Sequence, residues 1–306
     1  MLPQRVPTSP AIGGGTALVG VLGDPVRHSL SPRMHNAALA ALGLDWVYLA
    51  LPTPAERLAV VLEALEALDC RGLNVTLPHK QAVAALAAEC SPLARRLGAV
   101  NTLVRRPGGG WFGTNTDGEG FVAPLRAAAA SWQGRRAVLL GCGGSARAVV
   151  AGLTELGFAS IAVAARRPAA AASFCADVAP WAAPLEPVAW PTAADPGALG
   201  GADLVVNTTP VGMASAADPA TMERSPLEPG ALEALPATAT VYDLIYTPRP
   251  TRLLREAAQR GCATLDGLEM LVQQGAAALR LWSGRSDVPV AVMRNAALEH
   301  LTGRCP

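Results

Sequence analysis

The glycine-rich segment 141–146 combines residue types and spacing that suit phosphate binding. It reads Gly-Cys-Gly-Gly-Ser-Ala, directly after the apolar run 137–140 and before a helical pattern. In a strand–turn–helix unit, Gly141 makes the tight turn, Gly143 admits a pyrophosphate close to the backbone, and Ala146 keeps the helix near the sheet. Amides at the helix N-terminus then face the phosphates. The predicted dinucleotide contacts in this turn are Gly141, Gly143, Gly144, Ser145 and Ala146.

The end of the next predicted strand indicates which dinucleotide binds. Arg166 and Arg167 stand there, where an NAD-binding domain usually presents an acid to the ribose hydroxyls. Arginine pairs its donors with a 2′-phosphate and stacks on adenine, whereas an acid would repel the phosphate. A solvated strand end is the alternative interpretation. The pair predicts NADP as the cofactor, and therefore a nicotinamide-dependent oxidoreductase.

Polar side chains also follow predicted strands in the first half of the chain. Segment 72–80 places Asn74, Thr76 and Lys80 at the carboxyl end of a strand, where ligands gather, and a helix is predicted to begin at Pro78. Lys80 could instead be a solvated first-turn lysine, although the helix dipole disfavours a cation there. Asp117 is either a functional carboxylate or an N-cap.

The segment 28–32, His-Ser-Leu-Ser-Pro, predicts the start of a helix. Ser31 is expected to be the N-cap and Pro32 the first helical residue. Ser29 needs another explanation, and hydroxyls with free amides at a helix start would suit a substrate carboxylate.

Two alternations of apolar runs and helical patterns predict a two-domain α/β protein with mostly parallel sheets. A hairpin around the turn 107–110 is expected to join the first sheet. The predicted limits are a substrate-binding catalytic domain over 1–117, completed by C-terminal helices in 265–306, and a Rossmann-type NADP-binding domain over 118–264. The Ala- and Pro-rich segments 180–196 and 215–236 are expected to be surface loops.

Composition restricts the partners. The 306 residues include 25 basic and 24 acidic ones, for a formal charge of +1, so no global field would hold nucleic acid or an anionic membrane. Apolar runs stay too short for a membrane span, and Met1–Gly15 is expected to be a loose head without a signal peptide. Scattered cysteines and histidines predict free thiols and no metal site, which suits the cytoplasm. A small-molecule substrate is expected.

The polar clusters together resemble the shikimate dehydrogenase family, in the same order from about Gly20 to Trp282. The motifs that carry the resemblance are the segments 28–32, 74–80, 98–102, 115–118, 141–146, 206–213, 242–246 and 267–274. The resemblance implies reversible NADPH-dependent reduction of 3-dehydroshikimate to shikimate, in the route to aromatic amino acids and chorismate. Members occur as monomers and homodimers.

The resemblance also implies roles for individual residues. Lys80 and Asp117 would form the catalytic acid–base pair. The residues implied at the substrate are Ser29, Ser31, Asn74, Thr76, Asn101, Tyr246 and Gln274. Those implied on the cofactor side, besides the glycine turn and the arginine pair, are Thr208, Met213, Gly267 and Met270.

The chain departs from the family pattern at the phosphate clamp. Ala165-Arg166-Arg167 stands where Asn-Arg-Thr is common, and Ala169 and Ala170 occupy the usual place of a second arginine. The nearest rival is a quinate/shikimate enzyme, which often uses NAD, and the basic pair argues against it. A non-catalytic NADP sensor would not need Lys80 and Asp117, and a folate-type methylene dehydrogenase lacks the paired serines and the 115–118 motif.

Overall fold

The computed structural model describes residues 12–128, 131–214 and 218–303 of the 306-residue chain. The chain divides into two compact units, unit 1 with residues 1–116 and 272–306, and unit 2 with residues 117–271. The predicted roles of the two domains, substrate binding and NADP binding, stay predictions. Among the described residues, no helix is both long and apolar enough to cross a membrane.

Unit 1 contains a six-stranded sheet in the order β2-β1-β3-β5-β6-β4. Its strands are β1 (Ala17–Gly23), β2 (Trp46–Pro52), β3 (Gly72–Val75), β4 (Glu89–Cys90), β5 (Thr102–Arg105) and β6 (Trp111–Thr114). The β1–β2, β1–β3 and β4–β6 pairs are parallel, and β5 is antiparallel to both β3 and β6. The predicted β5–β6 hairpin is confirmed.

The helices of unit 1 cover a sheet whose central strands are apolar on both faces. They are α1 (Ser31–Ala41), α2 (Leu58–Ala67), α3 (Lys80–Leu86), α4 (Pro92–Leu97), α11 (Val290–Leu301) and the part of α10 (Gly267–Ser283) from residue 272 onward. On one face, Leu22 and Leu73 pack with Leu62 of α2 and Val83 of α3. A short 3₁₀ turn (Ala55–Arg57) precedes α2.

Three rings pack together in unit 1. The His35 ring stacks on Tyr48 with centroids 4.1 Å apart, and Trp282 lies 5.7 Å from His35 and 6.1 Å from Tyr48. The Trp282 indole N–H donates to the Leu103 carbonyl at 2.9 Å, and a Cβ on Gly72 would lie 2.1 Å from the indole. Glycine is therefore the only residue type at position 72 that lets α10 approach the sheet this closely.

Unit 2 contains a six-stranded, all-parallel sheet in the order β12-β11-β10-β7-β8-β9. Its strands are β7 (Arg136–Leu140), β8 (Ser160–Ala164), β9 (Leu185–Val188), β10 (Leu204–Asn207), β11 (Thr240–Asp243) and β12 (Ala263–Leu265). The order reverses between β7 and β10, as in dinucleotide-binding folds, and this reversal marks the ligand site of such sheets. The predicted Rossmann-type fold is confirmed.

Helices lie on both faces of this sheet. They are α5 (Asp117–Ala128), α6 (Gly144–Glu155), α7 (Pro168–Val178), α8 (Pro229–Leu232) and α9 (Arg252–Gln259), with 3₁₀ turns at Gly197–Gly201 and Pro219–Glu223. Leu139 faces a core formed with α5, α6 and α7, whereas Val138 and Leu140 face a second core formed with α8 and α9. Burial of alternate residues on opposite faces explains the nearly continuous apolar runs.

Three local predictions were wrong. The helix after β3 begins at Lys80 and not at Pro78, because the His79 amide bonds the Thr76 carbonyl and closes a turn first. Ser31 is the first helical residue of α1 and caps nothing. The predicted loops contain β9 and α8, and residues such as Leu227 and Leu235 are buried. Tertiary contacts ordered segments whose composition alone favours loops.

Part of the sequence-based interpretation lies outside the described residues. Cys305 and most of the predicted loose head belong to this part. The five cysteines of the described ranges are free thiols, and three of them, Cys70, Cys175 and Cys262, are buried.

Burial makes His35 a pH-sensitive element of unit 1. Its ring nitrogens lie 2.8 Å from the Ser31 carbonyl and 3.3 Å from the Gly275 carbonyl, and the neutral ring can donate to only one of them. Burial lowers the pKa of His35 from 6.5 to about 4. The unfolded chain therefore binds a proton on this side chain in a pH range where the folded chain does not.

We expect His35 to make the protein lose stability as the pH falls from about 6.5 to about 4, by up to about 3 kcal/mol. The His35→Gln variant should lose this part of the pH dependence of the unfolding free energy, measured by urea unfolding across the range. His300→Gln is the control, because His300 is exposed. An unchanged slope in His35→Gln would contradict the assignment.

Candidate functional site

Asn101 is the centre of a buried polar cluster in unit 1. It precedes β5, whereas Thr116 follows β6 and Gln274 lies on α10. The Asn101 side-chain oxygen accepts from the Thr116 amide at 2.7 Å and from the Thr102 hydroxyl at 2.9 Å. Its amide nitrogen donates to the Thr116 hydroxyl at 3.1 Å and to the Gln274 side-chain oxygen at 3.4 Å. Three segments far apart in the chain thus meet at one side chain.

Asn74, on β3, is held by a second set of bonds that runs into this cluster. Its oxygen accepts from the Tyr48 hydroxyl at 2.8 Å, and its nitrogen lies 3.4 Å from both the Asn101 carbonyl and the Thr102 hydroxyl. The Ser31 side chain lies near the same Tyr48 phenol and acts on its pKa. Both ends of the Asn74 amide are occupied within the protein, so its orientation is fixed.

Tyr48 was missed by the sequence-based reasoning. It is fully buried in an edge strand, and burial raises the pKa of its phenol well above 10. The phenol therefore stays protonated and can donate to Asn74. The segment Trp46–Pro52 has no polar–apolar alternation, so no local pattern shows that Tyr48 points inward or identifies its partners.

The remaining predicted substrate residues of unit 1 lie near helix starts. The Ser29 hydroxyl accepts from the Ser31 amide at 3.2 Å, so part of its role is to close the start of α1. Thr76 and Lys80 are partly exposed, and the Lys80 carbonyl accepts from the Val100 amide at 2.8 Å. Asp117 is the first residue of α5 in unit 2, is buried, and directly follows Thr116 in the chain.

The glycine turn of unit 2 lies at the reversal point of the sheet, after β7. Gly141 has φ +104°, and a Cβ there would lie 2.7 Å from the Thr208 hydroxyl oxygen and 2.9 Å from the Thr209 methyl. A Cβ on Gly143 or Gly144 would meet nothing within 4 Å. Gly141 is thus required by the chain itself, whereas the space at the other two glycines stays open for a ligand.

The start of α6 has the features of an anion site. Its N-cap is Gly143, and no side chain caps the helix, so its first amides have no side-chain acceptor. Ser145 and Ala146 complete the turn, and Ala146 is buried against the sheet. Open space, uncapped amides and the helix dipole together fit a pyrophosphate.

Arg166 and Arg167 lie at the end of the neighbouring strand. They follow β8, and both are exposed. Arg167 is the N-cap residue of α7, which begins at Pro168. Because β8 pairs with β7 in parallel, the two arginine residues follow β8 at the same edge of the sheet as the glycine turn.

A second buried polar cluster follows β10 and β11 and was not predicted. Asp243 accepts from the Asn207 amide group at 3.0 Å, the Ile245 backbone amide at 3.1 Å and the Thr251 hydroxyl at 2.7 Å. Burial raises the pKa of Asp243 from 3.8 to about 6. Thr208, next to Asn207, donates its hydroxyl to the Leu140 carbonyl at 2.9 Å, which joins this cluster to the glycine turn.

The other predicted cofactor and substrate residues of unit 2 occupy varied environments. Met213 is 42% exposed, and its carbonyl accepts from the Thr221 hydroxyl at 2.8 Å. Met270 is buried in the core of the unit. A Cβ on Gly267 would lie 1.9 Å from the Leu244 carbonyl oxygen, so packing alone requires this glycine. Tyr246 is partly buried, and burial raises the pKa of its phenol.

Comparison with known proteins gives the same family at both ends of the chain. The family model for the shikimate dehydrogenase substrate binding domain matches residues 21–103, and the one for the shikimate 5'-dehydrogenase C-terminal domain matches residues 267–298. A shikimate dehydrogenase (NADP(+)) of Synechocystis sp. is 50% identical over 297 residues, which cover 95% of this chain and 98% of that protein.

Solved structures agree over nearly the whole length. Shikimate 5-dehydrogenase from Thermus thermophilus, in complex with NADP(H) and shikimate, is 37% identical with a TM-score of 0.80, covering 93% of this chain and 99% of that one. Another shikimate dehydrogenase, in complex with NADP+, is 33% identical with a TM-score of 0.85, covering 97% and 99% respectively.

We expect Gly141→Ala to lower the free energy of unfolding by about 1–3 kcal/mol, because it adds positive-φ strain and a clash with Thr208. Gly143→Ala is the matched control. Its φ of −85° suits any residue and its Cβ meets open space, so the change should stay within about 0.5 kcal/mol. Equal losses in urea unfolding of the two variants would contradict this account of the turn.

Proposed function

Because this chain belongs to the shikimate dehydrogenase family, we propose that it catalyses the reversible NADPH-dependent reduction of 3-dehydroshikimate to shikimate, in the route to aromatic amino acids. The observation that carries the proposal is 50% identity to a shikimate dehydrogenase (NADP(+)) over 95% of this chain and 98% of that protein. Purified protein, NADP and shikimate, followed at the absorbance of reduced nicotinamide, test it. Absence of turnover would refute it, and quinate and NAD in the same assay measure the rival specificity.

We propose Lys80 as the proton donor in the reduction. NADPH, when bound, supplies the hydride that adds to the substrate carbonyl carbon. Negative charge then develops on the carbonyl oxygen, which an adjacent ammonium group stabilises and protonates. Asp117 is proposed to orient the lysine and share its proton.

The composition of the chain supports a proton-transfer role for Lys80. Among the 25 basic residues of the sequence, Lys80 is the only lysine and all others are arginines. Arginine supplies charge and hydrogen bonds but does not release its proton near neutral pH, whereas a lysine can. An amine is therefore present at the one position where we propose that a proton moves.

We propose that the substrate binds at the polar cluster of unit 1. Ser29 and Ser31, with the amides at the start of α1, would hold the carboxylate. Thr76, Asn101 and Gln274 would bond the ring hydroxyls, and the existing 3.4 Å contact between Asn101 and Gln274 keeps their polar groups side by side. The fixed Asn74 would brace these residues, and Tyr246 is the remaining residue proposed to contact the substrate.

We propose that NADP binds along the carboxyl edge of the unit 2 sheet. The uncapped start of α6 would hold the pyrophosphate, and the exposed arginine pair would hold the 2′-phosphate. Thr208, Met213, Gly267 and Met270 are proposed on the nicotinamide side. Met213 is the exposed methionine of this group, whereas Met270 is buried in the core of unit 2.

The cellular compartment and the oligomeric state of the protein are also proposals. Free thiols at the five described cysteines suit a reducing cytoplasm. We propose a monomer or a homodimer that binds small molecules.

We expect Lys80→Ala to lower kcat by about 10²–10⁴ with a much smaller change in the KM for shikimate, because the missing group acts in the transition state. Lys80→Arg is the matched variant. It keeps the positive charge but not the transferable proton, so its kcat should stay low while its KM stays near that of the unchanged enzyme. Recovery of kcat in Lys80→Arg would instead indicate a purely electrostatic role.

We expect Arg166→Ala to lower kcat/KM for NADP by about tenfold or more, because a charged bond to the 2′-phosphate is lost, while the value for NAD stays nearly constant. Arg167→Ala measures the share of the second guanidinium. Arg126→Ala is the control, since Arg126 is an exposed arginine of the same unit paired with Glu155. Equal losses with both dinucleotides would show that the pair does not read the phosphate.

A further inference from the structure

Asp243 is a buried carboxylate whose partners are all neutral. It is fully buried at the end of β11, and none of the ion pairs among the described residues includes it. One oxygen accepts from the Asn207 side chain and the Ile245 amide, and the other accepts from the Thr251 hydroxyl. Asp266 is the charged group that acts on it, and it is also an acid. Such a group is expensive to bury without a cation.

The bonds that begin at Asp243 continue through the loop after β10. The Asn207 side chain, held by Asp243, accepts from both the amide and the hydroxyl of Thr209, at 3.0 and 2.7 Å. The Thr209 hydroxyl in turn lies 3.2 Å from the Val211 amide. This ladder fixes the backbone on both sides of Thr208.

The same carboxylate fixes the loop after β11. It binds the Ile245 amide directly, and Thr251, its third donor, is the N-cap of α9 and accepts from the Leu254 amide at 3.4 Å. The two loops also touch each other, because the Ala214 amide donates to the Thr247 carbonyl at 2.9 Å. Residues 207–214 and 244–251 therefore share one anchor.

We propose that Asp243 is a positioning residue for the reaction, which holds the loops bearing Thr208, Met213 and Tyr246 in a single arrangement at the nicotinamide end of the cofactor site. The inference rests on the proposed function, because that function places these three residues beside the reacting groups. Asp243 itself touches neither cofactor nor substrate in this role. It acts through Asn207, Ile245 and Thr251.

The chemistry of the site explains why an acid stands here. A carboxylate only accepts, and three donors converge on its two oxygens, so every donor is satisfied. A neutral amide could keep its oxygen toward Asn207 and Ile245 and donate to the Thr251 hydroxyl, but none of these bonds would be charge-assisted. Burial also raises the pKa of Asp243 to about 6, because desolvation disfavours the charged form.

The test compares Asp243→Asn with Asp203→Asn. Asp203 directly precedes β10, at the end of the strand opposite to Asn207, and accepts from the Arg136 backbone amide at 2.8 Å. The control therefore removes a carboxylate that bonds the backbone of the same sheet away from the two loops. Amide hydrogen exchange of the protein without ligands, thermal unfolding, and kinetics with NADP and shikimate are measured for both variants.

We expect exchange in 207–214 and 244–247 to rise by about tenfold or more in Asp243→Asn, because charge-assisted bonds to the loops are lost. We also expect kcat/KM to fall by about tenfold or more, since the loops no longer hold one arrangement. The unfolding temperature should stay at or above that of the unchanged protein, because a buried charge is removed. Asp203→Asn should change neither loop exchange nor kcat/KM.

Unchanged loop exchange in Asp243→Asn would overturn the inference. A loss of activity together with a lower unfolding temperature would also overturn it, because general destabilisation would then explain the loss. If Asp243→Asn does not fold, Thr251→Val removes one donor, and Thr251→Ser, which keeps the hydroxyl, should restore loop protection and activity. Failure of the proposed function is a different result: the protein without any substitution would not turn over shikimate.

Discussion

Buried polar side chains at the ends of the central strands must find partners inside the protein, and this requirement shapes both units. An unpaired buried polar group costs about 1–3 kcal/mol. In unit 1 the requirement is met at Asn101, which joins residues from β5, from the segment after β6 and from α10. In unit 2 it is met at Asp243, which joins the loops after β10 and β11. The bonds that satisfy these buried groups therefore also orient side chains for which we propose functional roles.

Burial is the main influence on the pKa of one histidine in unit 1 and one aspartate in unit 2. The pKa of His35 is lowered and that of Asp243 is raised, and desolvation is the largest cause in both. Burial therefore disfavours the charged form of each side chain, the imidazolium of His35 and the carboxylate of Asp243. His35 braces the start of α1 and the middle of α10, so both groups lie beside residues with proposed functions.

The basic residues divide between two proposed tasks, phosphate binding and proton transfer. Arginines supply the surface ion pairs and the proposed phosphate contact, and the single lysine stands at the start of α3. A guanidinium group forms planar, paired bonds with oxyanions, while an ammonium group can give up its proton. The two tasks proposed for this protein, holding NADP and protonating a carbonyl, match these two side chains.

Local patterns were sufficient for the fold class and for the glycine turn. The run 137–146 predicts a strand, a turn and a helix because each depends on residues close in the chain, and β7 and α6 occupy those positions. The hairpin of β5 and β6 was predicted for the same reason. The Lys80–Asp117 pair and the other site residues came from a family resemblance, and their roles stay predictions.

What the sequence by itself determined was therefore the order of the elements, the two sheets and the phosphate-binding turn. Only the tertiary structure decided that Pro78 precedes the helix, that β9 forms within a Pro- and Ala-rich segment, and that Tyr48 and Asp243 hold the polar clusters. The polar clusters depend on contacts between distant segments, such as the bond between Asn207 and Asp243, which are 36 residues apart. Backbone preferences act over a few neighbouring residues, whereas the pairing of buried polar groups is set by which segments the folded chain brings together.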